Sequence, residues 1–145
     1  MIGLLQRVSE ASVSVDGELV GRIGRGLLVL VAVHRDDSPP SIERLAERIL
    51  SYRVFPDLEG RMNRSLLDEG FELLLVPQFT LAADTKKGTR ASFTKAASPE
   101  KGRDFFEKLL KSCEKQLGNV ESGVFGANMQ VSLINDGPVT FWLTA

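Results

Sequence analysis

The sequence predicts an α+β domain in which a largely antiparallel, curled and barrel-like β-sheet is covered by two main helices. Strand patterns occur in runs at both ends of the chain, and two helical patterns lie between them, each opening on a Ser-Pro pair. Consecutive strands favour antiparallel pairing, whereas strict alternation of strands and helices would indicate a parallel sheet. No linker or repeat interrupts the 145 residues, so residues 1–145 are expected to form a single domain.

The N-terminal third contains four predicted strands. Asp16-Gly17 is typical of a two-residue hairpin turn, and a Gly-rich turn follows at 24–26. This turn lacks the spacing of a phosphate-binding loop and precedes a strand, so a tight turn is favoured. The predicted strands are 2–6, 11–15, 19–23 and 27–33.

Two helices are predicted from Ser-Pro pairs, because Ser is a favoured N-cap and Pro is tolerated in the first turn. The first begins at Ser38; the second begins at Ser98 and ends at Gly118. Apolar residues at helical spacing give each helix one face toward the core. These residues are Ile42, Leu45, Ala46, Ile49 and Leu50 in the first helix and Phe105, Phe106, Leu109, Leu110, Cys113 and Leu117 in the second.

Two segments place polar groups beside a backbone irregularity. A buried strand at 71–76, preceded by a short strand at 53–55, ends at Pro77-Gln78-Phe79-Thr80, where Gln78 and Thr80 are expected on one face. The segment 135–140 contains Gly137-Pro138 and separates the closing strands, 129–134 and 139–143. Gly lacks a Cβ and Pro fixes φ, so such segments can present backbone groups to a ligand. Together they indicate a site.

The composition argues against several chemistries. One Cys and one His leave no internal disulfide and too few ligands for a typical zinc site, so neither a metal nor a cofactor is expected. His34 ends a buried strand and Cys113 lies on a packed helix face, so neither suits a Ser-His-Asp or Cys-His mechanism. Carboxylates in turns offer no paired acid and base. Catalysis would therefore use backbone dipoles, hydroxyls and substrate groups, with an oxyanion hole after Pro77.

The net charge of −1 gives no general attraction to nucleic acid, so an RNA partner requires a local basic patch. The candidate patches are Lys86, Lys87 and Arg90, and the pair Arg61 and Arg64. The apolar runs are too short to cross a bilayer and no targeting signal is visible. A cytoplasmic protein without a membrane partner is expected.

At its two polar segments the chain resembles the D-aminoacyl-tRNA deacylase (D-tyrosyl-tRNA deacylase) family. The resemblance implies a cytosolic homodimer, with active sites at the subunit interface, that hydrolyses the ester of D-aminoacyl-tRNA. Whether it also acts on mischarged glycyl-tRNA stays open. The similarity runs essentially end to end, through Gln6-Arg7-Val8, 26–30, Met62-Asn63, 78–81, Ala83-Asp84-Thr85, Ser92-Phe93 and 129–140.

The resemblance also implies a chiral filter. Gly137 and Pro138 would form a Gly-cisPro pair that each subunit inserts into its partner's pocket. Their carbonyls would face the substrate's Cα, so an L side chain would collide with them. Arg7 would brace this loop.

By the same resemblance, the backbone of Phe79 and Thr80 binds the ester carbonyl, and Gln78 shapes the catalytic site. Pro77 and Met129 line the substrate pocket. A ribose hydroxyl of the tRNA assists the reaction, in place of a protein base. The basic residues Lys86, Lys87 and Arg90 become contacts for tRNA phosphates.

Two positions depart from the family pattern: Pro77 replaces the usual Ser, and Ala91 the usual Pro. A related class that removes L-alanine from mischarged tRNA starts this motif with Pro-Gln and has a trans Gly-Pro bond. Phe79 and the segment 135–140 are typical of the D-specific enzymes. Two alternatives stay open: a relaxed-chirality deacylase, and a non-catalytic RNA-binding module of the same fold.

Overall fold

One long first strand organises the sheet. The structure is a computed structural model that describes residues 1–145. The strands are β1 (Ile2–Val15), β2 (Glu18–Ile23), β3 (Gly26–Ala32), β4 (Phe55–Pro56), β5 (Met62–Arg64), β6 (Glu72–Pro77), β7 (Glu121–Ser122) and β8 (Met129–Thr144). The helices are α1 (Pro39–Ser51), α2 (Leu66–Glu69) and α3 (Pro99–Leu117), with a 3₁₀ helix at Phe79–Ala82.

Strand β1 pairs with three strands, all antiparallel. Its first half pairs with β3 and its second half with β2, while β8 runs along its other edge. Strand β6 joins β3 in parallel, and β7 joins β6 in the same way. The α+β class and the largely antiparallel, curled sheet are therefore confirmed. The two parallel pairings were not predicted; they arise because the chain crosses over through α1 between β3 and β6 and through α3 between β6 and β7.

Local turn chemistry agrees with the structure. Asp16 and Gly17 form the β1–β2 hairpin with φ of 50° and 83°, as a two-residue turn with two positive φ angles requires. The two strands predicted at 2–6 and 11–15 are one continuous strand, because β8 bridges the gap between them.

The two faces of the β3–β6 pair support different layers. Leu27, Val29, Leu73 and Leu75 belong to the larger core, beneath α1 and α3. Leu28, Leu74 and Val76 point the other way, where the first half of β8 covers them. This two-sided burial follows from the nearly continuous apolar runs in these strands. The core residues of α1 match the prediction: Ile42, Leu45, Ala46, Ile49 and Leu50 are all buried.

The Ser-Pro helix starts are confirmed with one correction. Ser98 accepts a hydrogen bond from the Lys101 amide at 3.3 Å, but the Ser38 side chain makes no cap bond at α1. Burial raises the pKa of the Cys113 thiol to about 12, in keeping with its predicted place in the core. The short α2 was not predicted; it is held by a capping box between Ser65 and Asp68. No helix has both the length and the apolar character needed to span a membrane.

Candidate active site

The segment after β6 turns at once into a helix. Pro77 is the last paired residue of β6, opposite Val31, and the Gln78 amide donates to the Val31 carbonyl at 2.7 Å. The strand was expected to carry Gln78 and Thr80 outward on one face. Instead the chain forms the 3₁₀ helix, and the Gln78 side-chain amide donates to the Thr80 hydroxyl, so the two side chains still meet.

Two consecutive backbone amides are left free by this turn. The first N–H groups of a helix have no acceptor inside it. Within the 3₁₀ helix, Leu81 donates to the Gln78 carbonyl and Ala83 to the Thr80 carbonyl, whereas Phe79 and Thr80 are its first two residues, so their amides have no acceptor inside it. Two adjacent free N–H groups can bind one carbonyl oxygen and the negative charge that develops on it.

A cavity of about 230 Å³ opens beside this segment. Pro77, Gln78 and Phe79 form part of its wall, and the rest comes from the end of β3, the start of α3 and the loop before β8. The residues that sequence reasoning missed here are Val31, Ala32, Val33, Ala97, Ser98, Pro99, Gly102, Phe106, Phe125 and Gly126. The one available signal was Phe125, an aromatic residue in a Gly-rich loop. Phe79, Phe106 and Phe125 together line the cavity with three aromatic rings. Such a surface suits a flat heterocycle.

The Gly137-Pro138 loop bulges from β8. Asn135 pairs with Val8 and Thr140 with Gln6, so the four residues 136–139 stand opposite Arg7 alone. The Gly137-Pro138 peptide bond is cis, as the family resemblance implied, and Gly137 has φ of 145°. The Asn135 side chain closes the base of the loop, accepting from the Val139 amide at 2.7 Å and donating to the Thr140 hydroxyl at 2.8 Å.

Arg7 contacts this loop directly. Its Nε donates to the Asp136 carbonyl at 2.9 Å and its Nη1 to the Val54 carbonyl at 2.6 Å. The side chain is only 12% exposed, which strengthens these charge-assisted bonds. Arg7 therefore ties the loop to the segment before β4, an arrangement that fits the bracing role inferred from the sequence.

Within one chain the loop and the free amides do not meet. Arg7, beside the loop, pairs with Leu27, whereas Pro77 lies level with Val31, which pairs with Gly3. Four residues along β1 span roughly 13 Å, and the three strand spacings from β8 to β6 add roughly 14 Å across the sheet. Measured along the sheet, the two segments are roughly 20 Å apart. No residue of the loop lines the cavity.

Met129 lies behind the cavity and does not line it. A Cβ on Gly123 would lie 2.7 Å from Met129 Sδ and 3.3 Å from Pro77 Cδ, so both residues border the same glycine. Met129 Sδ also accepts from the Val124 amide at 3.3 Å. Met129 thus contacts the loop that carries Phe125 into the cavity wall. Its contact with a substrate stays a prediction.

The basic residues fall into two groups. Arg61 pairs with Glu59 at 3.7 Å and Arg64 with Glu69 at 2.7 Å, so a carboxylate lies beside each of these charges. Lys86, Lys87 and Arg90 are exposed and form no ion pair; they lie in the loop between the Asp84 and Ser92 backbone bridge.

This basic loop is attached to the candidate site. The Asp84 carboxyl accepts from the Lys86 amide at 3.0 Å and pairs with the Lys95 ammonium at 3.4 Å, and these contacts fasten the loop at its base. The Lys86 amide and then the Lys95 ammonium lower the pKa of this carboxyl. Beyond the bridge, the ring of Phe93 packs 5.1 Å from that of Phe79. No group of three or more His, Cys, Asp or Glu side chains converges as a set of metal ligands.

Comparison with known proteins identifies the family. The sequence profile described as D-Tyr-tRNA(Tyr) deacylase matches residues 4–144. This chain belongs to that family. A D-aminoacyl-tRNA deacylase of Alkalilimnicola ehrlichii is 66% identical over 145 residues, covering 100% of this chain and 97% of the relative. One from Escherichia coli is 52% identical over 143 residues, covering 99% of each chain.

Solved structures agree with the fold. A structure described as c-Myc DNA Unwinding Element Binding Protein has a TM-score of 0.95 at 38% identity and covers 100% of this chain and 99% of its own. A structure described as a probable eukaryotic D-amino acid tRNA deacylase has a TM-score of 0.88 at 19% identity, covering 99% and 98%. At that identity the second likeness supports the fold alone.

Proposed function

We propose that this protein hydrolyses the ester of D-aminoacyl-tRNA to free D-amino acid and tRNA. The observation that carries the proposal is the pair of free amides at Phe79 and Thr80, beside an aromatic cavity. Membership of the deacylase family and the names of relatives at 52–66% identity support it independently. Such an enzyme would act in the cytosol, where charged tRNA is used.

The two amides bind the ester carbonyl oxygen in this proposal. Water adds to the carbonyl carbon, the ester C–O bond breaks, and a proton moves to the departing ribose oxygen. In well-studied hydrolases each oxyanion donor contributes about 3–4 kcal/mol to lowering the barrier. The neighbouring ribose hydroxyl of the tRNA orients the water, which removes the need for a protein base. The Gln78 amide bonded to Thr80 keeps this turn in place.

The terminal adenine occupies the aromatic cavity. Its volume of about 230 Å³ suits one heterocycle, and Phe79, Phe106 and Phe125 offer apolar ring surfaces. Seating the base there brings the ribose and its ester to the mouth, where the free amides lie. The substrate would therefore be recognised by its adenosine end, whatever the amino acid.

Chirality is set by the partner subunit in a homodimer. Within a chain Gly137 and Pro138 lie far along the sheet from Phe79, so they act in the site of a second copy. Strand β8 carries an apolar outer surface that suits such an interface, since Ile134 is 54% exposed and Trp142 is 53% exposed. The Gly137 and Pro138 carbonyls then face the substrate's Cα and exclude an L side chain.

The loop with Lys86, Lys87 and Arg90 binds phosphates of the tRNA acceptor arm. Its stem packs on Phe79 through Phe93, so its free charges lie next to the reacting end. Phosphate contacts of this kind position the substrate without reading its sequence.

The testing experiment compares D-Tyr-tRNA, L-Tyr-tRNA and L-Ala-tRNA at nanomolar enzyme. Rapid loss of the D-ester alone supports the proposal. Pro77 in place of Ser favours the relaxed class as a second candidate, and loss of L-Ala-tRNA as well would assign the protein to it. Protection of all three esters would indicate an RNA-binding module without turnover.

A further inference from the structure

Arg103 lies at the rim of the aromatic cavity. It follows the cavity residue Gly102 in α3, is exposed, and makes no ion pair with a carboxylate. Its Cζ is 5.2 Å from the centroid of the Phe125 ring, and a Cβ on Gly126 would lie 4.0 Å from its Nη2. A cation–π contact thus holds the guanidinium against the ring that walls the cavity, while its donors stay free.

The chemistry of the substrate indicates what this cation binds. The terminal nucleotide of tRNA carries the aminoacyl ester on one side of its ribose and a 5′-phosphodiester on the other. When the ester lies at the amides of Phe79 and Thr80, the 5′ side turns away from the 3₁₀ helix. Phe125 belongs to a different part of the wall, formed by α3 and the loop before β8, and Arg103 lies against its ring.

We infer that Arg103 binds the 5′-phosphate of the terminal nucleotide, an inference that rests on the proposed function. A guanidinium suits this role because its planar array of donors matches a phosphate with two parallel hydrogen bonds. The contact would orient the ribose and align the ester with the free amides. Arg103 is thereby a specificity-determining residue, because it makes the site prefer a nucleotide with a 5′-phosphate over a free nucleoside.

A direct binding experiment tests this inference. Adenosine and adenosine 5′-monophosphate are titrated into the wild type, Arg103→Gln and Arg103→Lys. Arg44→Gln is the control, because Arg44 is an exposed arginine of α1 that pairs with Glu47. The wild type and the control should prefer the monophosphate by about tenfold, the value of one charge-assisted contact. Arg103→Gln should reduce this preference to less than about twofold, and Arg103→Lys should retain part of it.

The salt dependence gives a second readout. Salt screens an exposed ion pair, so the affinity of the wild type for the monophosphate should fall as the salt concentration rises, and Arg103→Gln should largely remove this dependence. Equal weakening of both ligands would show that Arg103 only supports Phe125, and would overturn the inference. A wild type without preference for the monophosphate would also overturn it.

Turnover of D-Tyr-tRNA separates this inference from the proposed function. If the wild type cleaves the ester but shows no phosphate preference, only the role of Arg103 fails. If the preference is present and Arg103→Gln abolishes it, but no ester is cleaved, the hydrolytic function fails and the phosphate contact stands.

Discussion

Replacing Gly137 by alanine perturbs the proposed filter at its centre. A Cβ there would lie 2.6 Å from Val139 Cγ2, 2.9 Å from the Val139 backbone nitrogen and 3.2 Å from Arg7 Nη2. Because one of these atoms is backbone, the loop itself must move. At φ of 145° a residue other than glycine also costs about 1–3 kcal/mol. A domain of this size has about 5–15 kcal/mol of stability, so Gly137→Ala should remain folded.

The expected result is a large loss of turnover with a moderate loss of stability. A displacement of about 1 Å at a positioning group can reduce a rate about 100-fold, so kcat/KM for D-Tyr-tRNA should fall by tenfold or more. The free energy of unfolding should fall by about 1–3 kcal/mol. Single-turnover deacylation of D-Tyr-tRNA and L-Tyr-tRNA measures the first quantity, and urea unfolding measures the second.

Gly17→Ala is the matched control. Gly17 has φ of 83°, and no atom lies within 4 Å of a Cβ placed there, so this variant carries the backbone penalty without the clash. It should lose less stability than Gly137→Ala, since only the backbone penalty applies, and it should keep its activity. Wild-type turnover in Gly137→Ala would refute the filter. An equal loss of turnover in both variants would show that reduced stability, and not the position of the loop, controls the rate.

Three further predictions follow from individual contacts. Arg7→Gln removes the charge that holds the Asp136 carbonyl at 2.9 Å, so urea unfolding should show a loss of about 2–3 kcal/mol, with slower cleavage of the D-ester. Gly26→Ala places a Cβ 2.7 Å from the Glu72 carbonyl carbon, which should cost about 3 kcal/mol in urea by forcing β3 and β6 apart. Burial raises the pKa of the Cys113 thiol from 9.0 to about 12. Between these two pH values the thiol stays protonated in the folded state and ionises in the unfolded state. Stability should therefore fall between these two pH values, and Cys113→Ala should remove that part of the pH dependence in urea titrations.

Local elements were predictable to different degrees. The Asp16-Gly17 hairpin and the helix beginning at Ser98 depend on contacts between residues a few positions apart, and both agree with the structure. The 3₁₀ helix at Phe79–Ala82 was missed, because an apolar run ending in Pro77 gives no local signal that the chain will turn into a helix. The four-residue α2 is too short for helical periodicity to reveal it.

Only part of the candidate site could be predicted from the sequence. The motif residues Gln78, Phe79 and Thr80 were identified by their order along the chain, and the structure adds that two of their amides are free. The cavity wall was not identified, because Phe125 reaches it from a loop 46 positions further along the chain. Nothing in the pattern around Phe125 specifies which strand end it will face.

The sequence by itself determined the hairpin, the two long helices, the apolar faces and the motifs that reveal the family, since these depend on periodicity and on short-range backbone preferences. The tertiary structure decided that β3 and β6 pair in parallel, that Gly137 lies far along the sheet from Phe79, and that Arg103 stands over Phe125. The physical reason is that contacts between distant segments depend on how the whole chain closes on its core. Strand and helix periods specify which face is buried, but not which partner buries it.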